Sequence, residues 1–267
     1  MNNFHKKGYI LIKNCLSKDL LNELKKESEN MFAKAKKNLW PLIRVYNDYP
    51  YFNKNINVFG LDYPLNNKLN NNIFKLFNRL NYGKELIKIS NWKTFKTTVI
   101  RLHAFNNLFN YQGVWHRDGD TFPTPNQIQS VIYLKEEKGF RIVPKDKNYM
   151  LEQYGFSLTG QPDGENLRRA NLPKSIFDVI NAEAGDVLFF EAALLHQGFS
   201  RKERMHYHLR HVNTSDQNPN NLNINNKENI FFFEEEYLPD YNFEKLFLDY
   251  KKYEKKNDYV SKFKRSL

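Results

Sequence analysis

Trp115-His116-Arg117-Asp118-Gly119-Asp120 is the stretch on which the reading of this chain turns. In an extended strand successive side chains alternate between faces, so His116 and Asp118 project to one side and Trp115 and Arg117 to the other. One imidazole and one carboxylate then converge on a point. A third donor is offered by His196, which follows the apolar run Val187-Leu188-Phe189-Phe190 and stands two residues before Gly198. Two histidines and one carboxylate occupy one face of an octahedron and leave three adjacent positions open, the donor set that suits non-heme Fe(II). His116, Asp118 and His196 are therefore the expected metal ligands, and the chemistry they imply is oxidative.

Composition sets the frame around that site. The 267 residues, 40% of them hydrophobic, can bury one large core. No apolar run approaches the length of a membrane span, and the first residues lack the charged-then-apolar layout of a signal peptide. Cys15 is the sole cysteine, which excludes an intramolecular disulfide and fits a reducing cytoplasm. The formal net charge of +11 and pI near 9.4 permit a polyanionic partner. Those lysines, however, are dispersed among asparagines with no nucleic-acid-binding motif, so a solvated basic surface is the expectation.

Along the chain the hydrophobic period changes once. Residues 1–93 read as a short strand near Gly8-Tyr9-Ile10-Leu11-Ile12, then a helix capped by Ser17 whose buried face carries Leu20, Leu21, Leu24, Ser28, Met31, Phe32 and Ala35. A loop follows from Pro41 to Pro64, and a second helix is predicted over Leu65 to Leu80. From about Thr94 the period is two. Strands are predicted at Thr97–Phe105, Gln129–Lys135, Phe140–Val143, Asp186–Glu191 and Arg204–Val212. Residues 94–214 thus form a β core with a polar insertion at 150–180 expected to cover the site, and 215–267 form an extension. The whole is read as one domain, mainly β with flanking α.

With these residues placed, the chain resembles the phytanoyl-CoA dioxygenase family of Fe(II)- and 2-oxoglutarate-dependent oxygenases over most of residues 4–214. The resemblance is carried by Phe4 through Gly8-Tyr9-Ile10 to the Leu20-Leu21-Asn22-Glu23-Leu24 helix, by the His116-x-Asp118 pair, and by Ser130-Val131-Ile132-Tyr133-Leu134 followed by Gly139-Phe140-Arg141-Ile142-Val143-Pro144. The approach Gly185-Asp186-Val187-Leu188-Phe189-Phe190 to His196 completes it. One departure stands out: Pro144 is followed by Lys145-Asp146-Lys147, where members often carry Gly-Ser-His. The family implies a double-stranded β-helix, the jelly roll or cupin-like barrel, with N-terminal helices packed outside and the metal at its mouth. It also implies Fe(II), 2-oxoglutarate as co-substrate, O2, and release of succinate and CO2.

Iron alone cannot select 2-oxoglutarate among 2-oxo acids; a fixed cation must hold the remote carboxylate. Arginine suits this because its planar fork binds a carboxylate through two parallel hydrogen bonds and keeps its charge in a dry barrel. The resemblance places that arginine at the start of the strand after His196, where Arg204 falls, and Arg210 on the same strand face is the second choice. His206 and His208 share that face and are read as hydrogen-bonded strand histidines, as is His103. Retention of Asp118 favours hydroxylation over halogenation, since related halogenases replace the carboxylate to admit chloride. The substrate is expected to be a small molecule, with the basic charge favouring an anionic or carrier-linked one. A cupin-like metal enzyme that does not use 2-oxoglutarate and a non-catalytic polyanion-binding protein are the alternatives.

Overall fold

The computed structural model describes residues 3–36, 43–45, 58–62, 76, 82–93, 95–105, 111–118, 127–200 and 204–213. The elements run α1 (Asn3–Lys7), β1 (Tyr9–Ile12), α2 (Lys18–Lys36), β2 (Ile43–Val45), β3 (Val58–Asp62), α3 (Tyr82–Ser90), β4 (Phe95–Phe105), β5 (Tyr111–Gln112), β6 (Gln127–Tyr133) and β7 (Glu137–Ile142). A 3-10 helix (Lys145–Tyr154), α4 (Gly164–Arg168), β8 (Asp178–Ala182), β9 (Val187–Glu191), β10 (His196–Gln197), β11 (Phe199–Ser200) and β12 (Arg204–Asn213) follow. A large sheet has the order β1-β9-β6-β12-β4-β3-β2; a smaller one is ordered β10-β7-β8, and β11 pairs with β5. Every described pairing is antiparallel.

Strands β6 and β9 of the large sheet are buried on both faces, and β9 accordingly reads as a nearly continuous apolar run. The sheet's outer face, with Ile128, Ile132, Val187, Phe189, Met205, Tyr207 and Leu209, packs in one cluster with Leu20, Leu24 and Met31 of α2 and Leu86 and Ile89 of α3. Each such fully buried side chain contributes roughly 1.5–3 kcal/mol. Ser28 joins this face because its hydroxyl bonds the Leu24 carbonyl at 2.7 Å and the Tyr207 hydroxyl at 2.9 Å. The predicted helix face is thus the one that seats α2, and the Ser17 hydroxyl accepts from the Leu20 amide at 3.3 Å as its cap. On the inner face Val131, Tyr133, Leu188 and Phe190 meet Phe140, Ile142, Ile180 and Ala182 of the small sheet.

Several expectations change. The stretch from Pro41 to Pro64, expected as loop, holds β2 and β3. These strands are three and five residues long, too short for alternation to show, and they exist because β3 pairs along the edge of β4. Helix α3 was not anticipated, and β8 begins within the polar insertion expected at 150–180. The helix predicted over Leu65 to Leu80 and the extension at 215–267 lie outside the described residues, apart from Leu76, which is helical and buried. No helix among the described residues is long and apolar enough to cross a membrane.

Candidate metal centre

His116 and His196 are fixed by one another's backbones. Each amide donates to the other's carbonyl at 3.0 Å, an isolated antiparallel bridge, while His196 also pairs with Ile142 of β7. Asp118 is set by its amide donating to the Ala192 carbonyl at 3.0 Å. The expected strand through His116 and Asp118 is therefore reduced to a single bridge and a bend. The alternation of side chains survives because the segment stays extended: Trp115 and Arg117 are buried away from the pair.

The donor atoms of His116, Asp118 and His196 all lie within 4.8 Å of one another. His196 Nε2 stands 3.1 Å from Asp118 Oδ2 and His116 Nε2 stands 4.0 Å from it. Both imidazoles use Nδ1 on a local carbonyl, His116 on Val114 at 2.8 Å and His196 on Leu194 at 2.9 Å. A ring whose Nδ1–H donates presents a bare lone pair at Nε2, the tautomer that binds metal. Two such lone pairs thus face a carboxylate oxygen that is buried and has no hydrogen-bond donor among the described residues. Acceptors gathered against acceptors repel unless a cation lies between them, so the residues present fit a metal ion.

Charge reinforces this. Burial, then the neighbouring His196, pushes the His116 imidazole down to about 4, keeping it neutral and able to ligate at ordinary pH. Burial alone would raise the Asp118 carboxyl. Positive charge beside it, carried by His196 and His116 when they are protonated and by the guanidinium of Arg210, outweighs burial and holds the group well below the usual carboxylate range. Arg210 donates to the other oxygen, Asp118 Oδ1, at 2.9 Å. Exposure is graded across the trio, 33% for the His116 side chain, 12% for Asp118 and 3% for His196, so the centre opens on the His116 side.

The insertion expected to cover the site braces the ligand segment from behind. Trp115 packs with Val143, Leu151, Phe156, Leu172, Ile176 and Phe177, and its indole donates to the Ala170 carbonyl at 2.9 Å. Arg117 donates to the carbonyls of Ala193 at 2.7 Å and Ser157 at 3.0 Å. Gln161 grips the Arg117 backbone on both sides, its amide oxygen accepting from the Arg117 N–H at 3.2 Å and its amide nitrogen donating to the Arg117 carbonyl. Burial lowers the Arg117 guanidinium to about 10, still charged at neutral pH. Supports of this kind are worth about 10–100-fold in metal affinity. Arg117→Ala is expected to weaken Fe(II) binding by that factor in a metal titration; unchanged affinity would mean that the brace does not position the ligands.

Arg204, His206, His208 and Arg210 share the inward face of β12, as their common parity predicts. The structure separates the two arginines by function of place. Arg210 touches Asp118. Arg204 lies six residues further along the strand, roughly 20 Å in backbone length, where its Nη2 is 2.7 Å from Oε1 of Glu137. Glu137 Oε2 in turn is 3.0 Å from His206 Nδ1, and His206 Nε2 is 3.2 Å from His103 Nδ1. His208 bonds Gln129. His206, His208 and His103 are thus hydrogen-bonded strand histidines, and all three are pushed down by burial.

Glu137 is the residue that reading the sequence missed. In Lys135-Glu136-Glu137-Lys138-Gly139 it looks like one charge in a solvated turn. The register of β7 against β8 shifts between Lys138 and Phe140, and Gly139 sits in the bulge at φ 111°. One extra residue puts Glu137 on the same inward side as Phe140 and Ile142, and only 2% of it is exposed.

Two antiparallel sheets holding a His, carboxylate, His face fit a non-heme metal enzyme. A family model, phytanoyl-CoA dioxygenase (PhyH), matches residues 4–204, and the chain belongs to that family, whose cofactors are iron and 2-oxoglutarate with O2. Among curated proteins none matches the chain. Solved structures share its fold at low identity. AviO1 from Streptomyces viridochromogenes Tue57 is 15% identical, with a TM-score of 0.58 over 79% of this chain and 92% of that one. The epimerase SnoN from nogalamycin biosynthesis, in complex with Fe3+, alpha ketoglutarate and nogalamycin RO, is 12% identical with a TM-score of 0.56 over 79% and 80%. HygX from Streptomyces hygroscopicus, with nickel, 2-oxoglutarate and hygromycin B bound, is 12% identical with a TM-score of 0.51 over 79% and 84%.

Proposed function

We propose that this protein is an Fe(II)- and 2-oxoglutarate-dependent hydroxylase of a small molecule, built as a single double-stranded β-helix domain that works in the cytoplasm. The observation that carries it is the convergence of His116, Asp118 and His196, with both Nε2 lone pairs turned toward an unbonded Asp118 oxygen. Fe(II) held there supplies, with O2 and 2-oxoglutarate, an oxidant able to take hydrogen from an unactivated C–H bond.

The residues of the chain divide the remaining work. His116, Asp118 and His196 hold the metal and leave three adjacent positions open. Arg204 pairs with the remote carboxylate of 2-oxoglutarate. Arg210 is less suited because it stands at a metal ligand, and a five-carbon diacid held through its C1 end would carry its far carboxylate away from the metal. Arg210 instead holds Asp118 in orientation from the mouth. Phe140 and Phe190, with ring centroids 5.6 and 5.0 Å from His196, keep water from the inner side of the centre. The substrate enters on the exposed His116 side, where the half-exposed Arg210 favours an anionic group.

Neighbours of this fold include an epimerase and a carbocyclase as well as enzymes bound to 2-oxoglutarate, so the fate of the substrate radical is the open chemical choice. Retention of Asp118 supports hydroxylation over halogenation. The test is to supply small-molecule mixtures with Fe(II), 2-oxoglutarate and O2, follow succinate, and weigh the product by mass spectrometry. Succinate coupled to a product one oxygen atom heavier is the expected result; a product of unchanged mass, or one two hydrogens lighter, would replace the hydroxylase assignment.

A further inference from the structure

Arg204 is already paired with a carboxylate before any co-substrate arrives. Glu137 lies 2.7 Å from it, bonds His206 at 3.0 Å through its second oxygen, and is shielded from water. The groups facing Glu137 are Arg204 and His206 from β12 and Tyr133 from β6, with His103 of β4 behind His206; the paired residue on β8 is Ala182. Within the Arg204–Glu137–His206 group itself the charges balance, a guanidinium cation against a carboxylate with a neutral imidazole, while Arg101 of β4 and His208 of β12 stand beyond it against His103. Burial disfavours charging His206, and Arg204 and His206 together hold Glu137 ionised against its own burial.

A second carboxylate seated on Arg204 breaks that balance. It would leave one net negative charge on the Arg204–Glu137–His206 group, with two carboxylates on one guanidinium, an arrangement that favours a proton on one of its members. We infer that Glu137 is a selectivity and coupling residue: seating the remote carboxylate of 2-oxoglutarate on Arg204 draws one proton from solvent onto the Glu137–His206 pair, which then hands the guanidinium over. The proton count is closed within the pocket, since the arriving carboxylate brings one negative charge and the proton one positive. This inference rests on Arg204 being the anchor.

The consequence is a pH-dependent co-substrate affinity with a definite sign. Binding that takes up a proton weakens as pH rises, by about tenfold per pH unit when one full proton is taken up. A 2-oxo acid without the remote carboxylate, such as pyruvate, reaches the metal but not Arg204 and should show no such dependence. Glu137→Gln removes the competing charge, so its 2-oxoglutarate affinity should be flat with pH and tighter than wild type at high pH.

The experiment is anaerobic calorimetry of 2-oxoglutarate and of pyruvate binding to the Fe(II)-loaded protein, in two buffers of different ionisation enthalpy, from pH 6.5 to about 8.5. About one proton taken up with 2-oxoglutarate and none with pyruvate is the expected wild-type result, which needs no variant to fold. Equal proton numbers for the two acids, or uptake that persists in Glu137→Gln, would overturn the inference. The double variant Arg204→Ala/Glu137→Gln separates the two layers. If it loses affinity for 2-oxoglutarate while wild type takes up no proton, the anchor stands and the handover is wrong; if it binds as tightly as Glu137→Gln alone, the anchor assignment itself fails.

Discussion

Asp118→Ala and His116→Ala are each expected to lose stoichiometric Fe(II) binding and, with it, turnover by more than the roughly 100-fold that a supporting residue costs. The reason lies in how the trio is held. Backbone bonds from His116 to His196 and from Asp118 to Ala192 fix the main chain independently of the metal, so removing one side chain deletes a donor without collapsing the others. A two-donor remnant cannot occupy an octahedral face. Asp118→Ala has a second effect, because Arg210 loses its 2.9 Å partner and leaves a cation beside the metal position. Metal analysis after dialysis, together with a succinate assay, checks both variants. Retention of tightly bound iron by either would mean that the metal is held elsewhere.

Arg204→Ala is expected to raise the 2-oxoglutarate KM by about two to three orders of magnitude, from loss of a buried charge-assisted pair worth roughly 2–5 kcal/mol, with a smaller effect on kcat at saturation. Alanine here also strands Glu137 as an unpaired buried charge, which costs about 3–5 kcal/mol of stability. Arg204→Ala/Glu137→Gln avoids that penalty, and it should show the same KM effect with near-normal unfolding. Arg204→Lys should recover part of the affinity, because the charge returns without the planar fork. Arg210→Ala is expected instead to act through Asp118, lowering metal affinity with little change in the 2-oxoglutarate KM. The reverse pattern in initial-rate kinetics would assign the anchor to Arg210.

How far the sequence carried these conclusions differs by element. The trio was legible because alternation in an extended segment is a local rule, and it held even though the segment forms one bridge rather than a strand. The face of α2 was legible for the same reason: Leu20, Leu24, Ser28 and Met31 repeat at helical spacing. Strand β3 owes its conformation to β4, a partner more than thirty positions away, and β2 owes its own to β3; nothing in five residues announces either. Glu137 was hidden by the bulge at Gly139, since a period-two reading of β7 turns it outward. Arg117 carried no signal at all; its bonds go to carbonyls of Ala193 and Ser157, acceptors that every residue possesses.

One measurement addresses the centre of this account. Fe(II) is titrated anaerobically into the protein, 2-oxoglutarate is added, and the weak visible charge-transfer band of a 2-oxo acid chelated to Fe(II) is recorded in wild type and in His196→Ala. A one-to-one band in wild type that disappears in the variant is the predicted outcome. No band in wild type, or an undiminished band without His196, would contradict it.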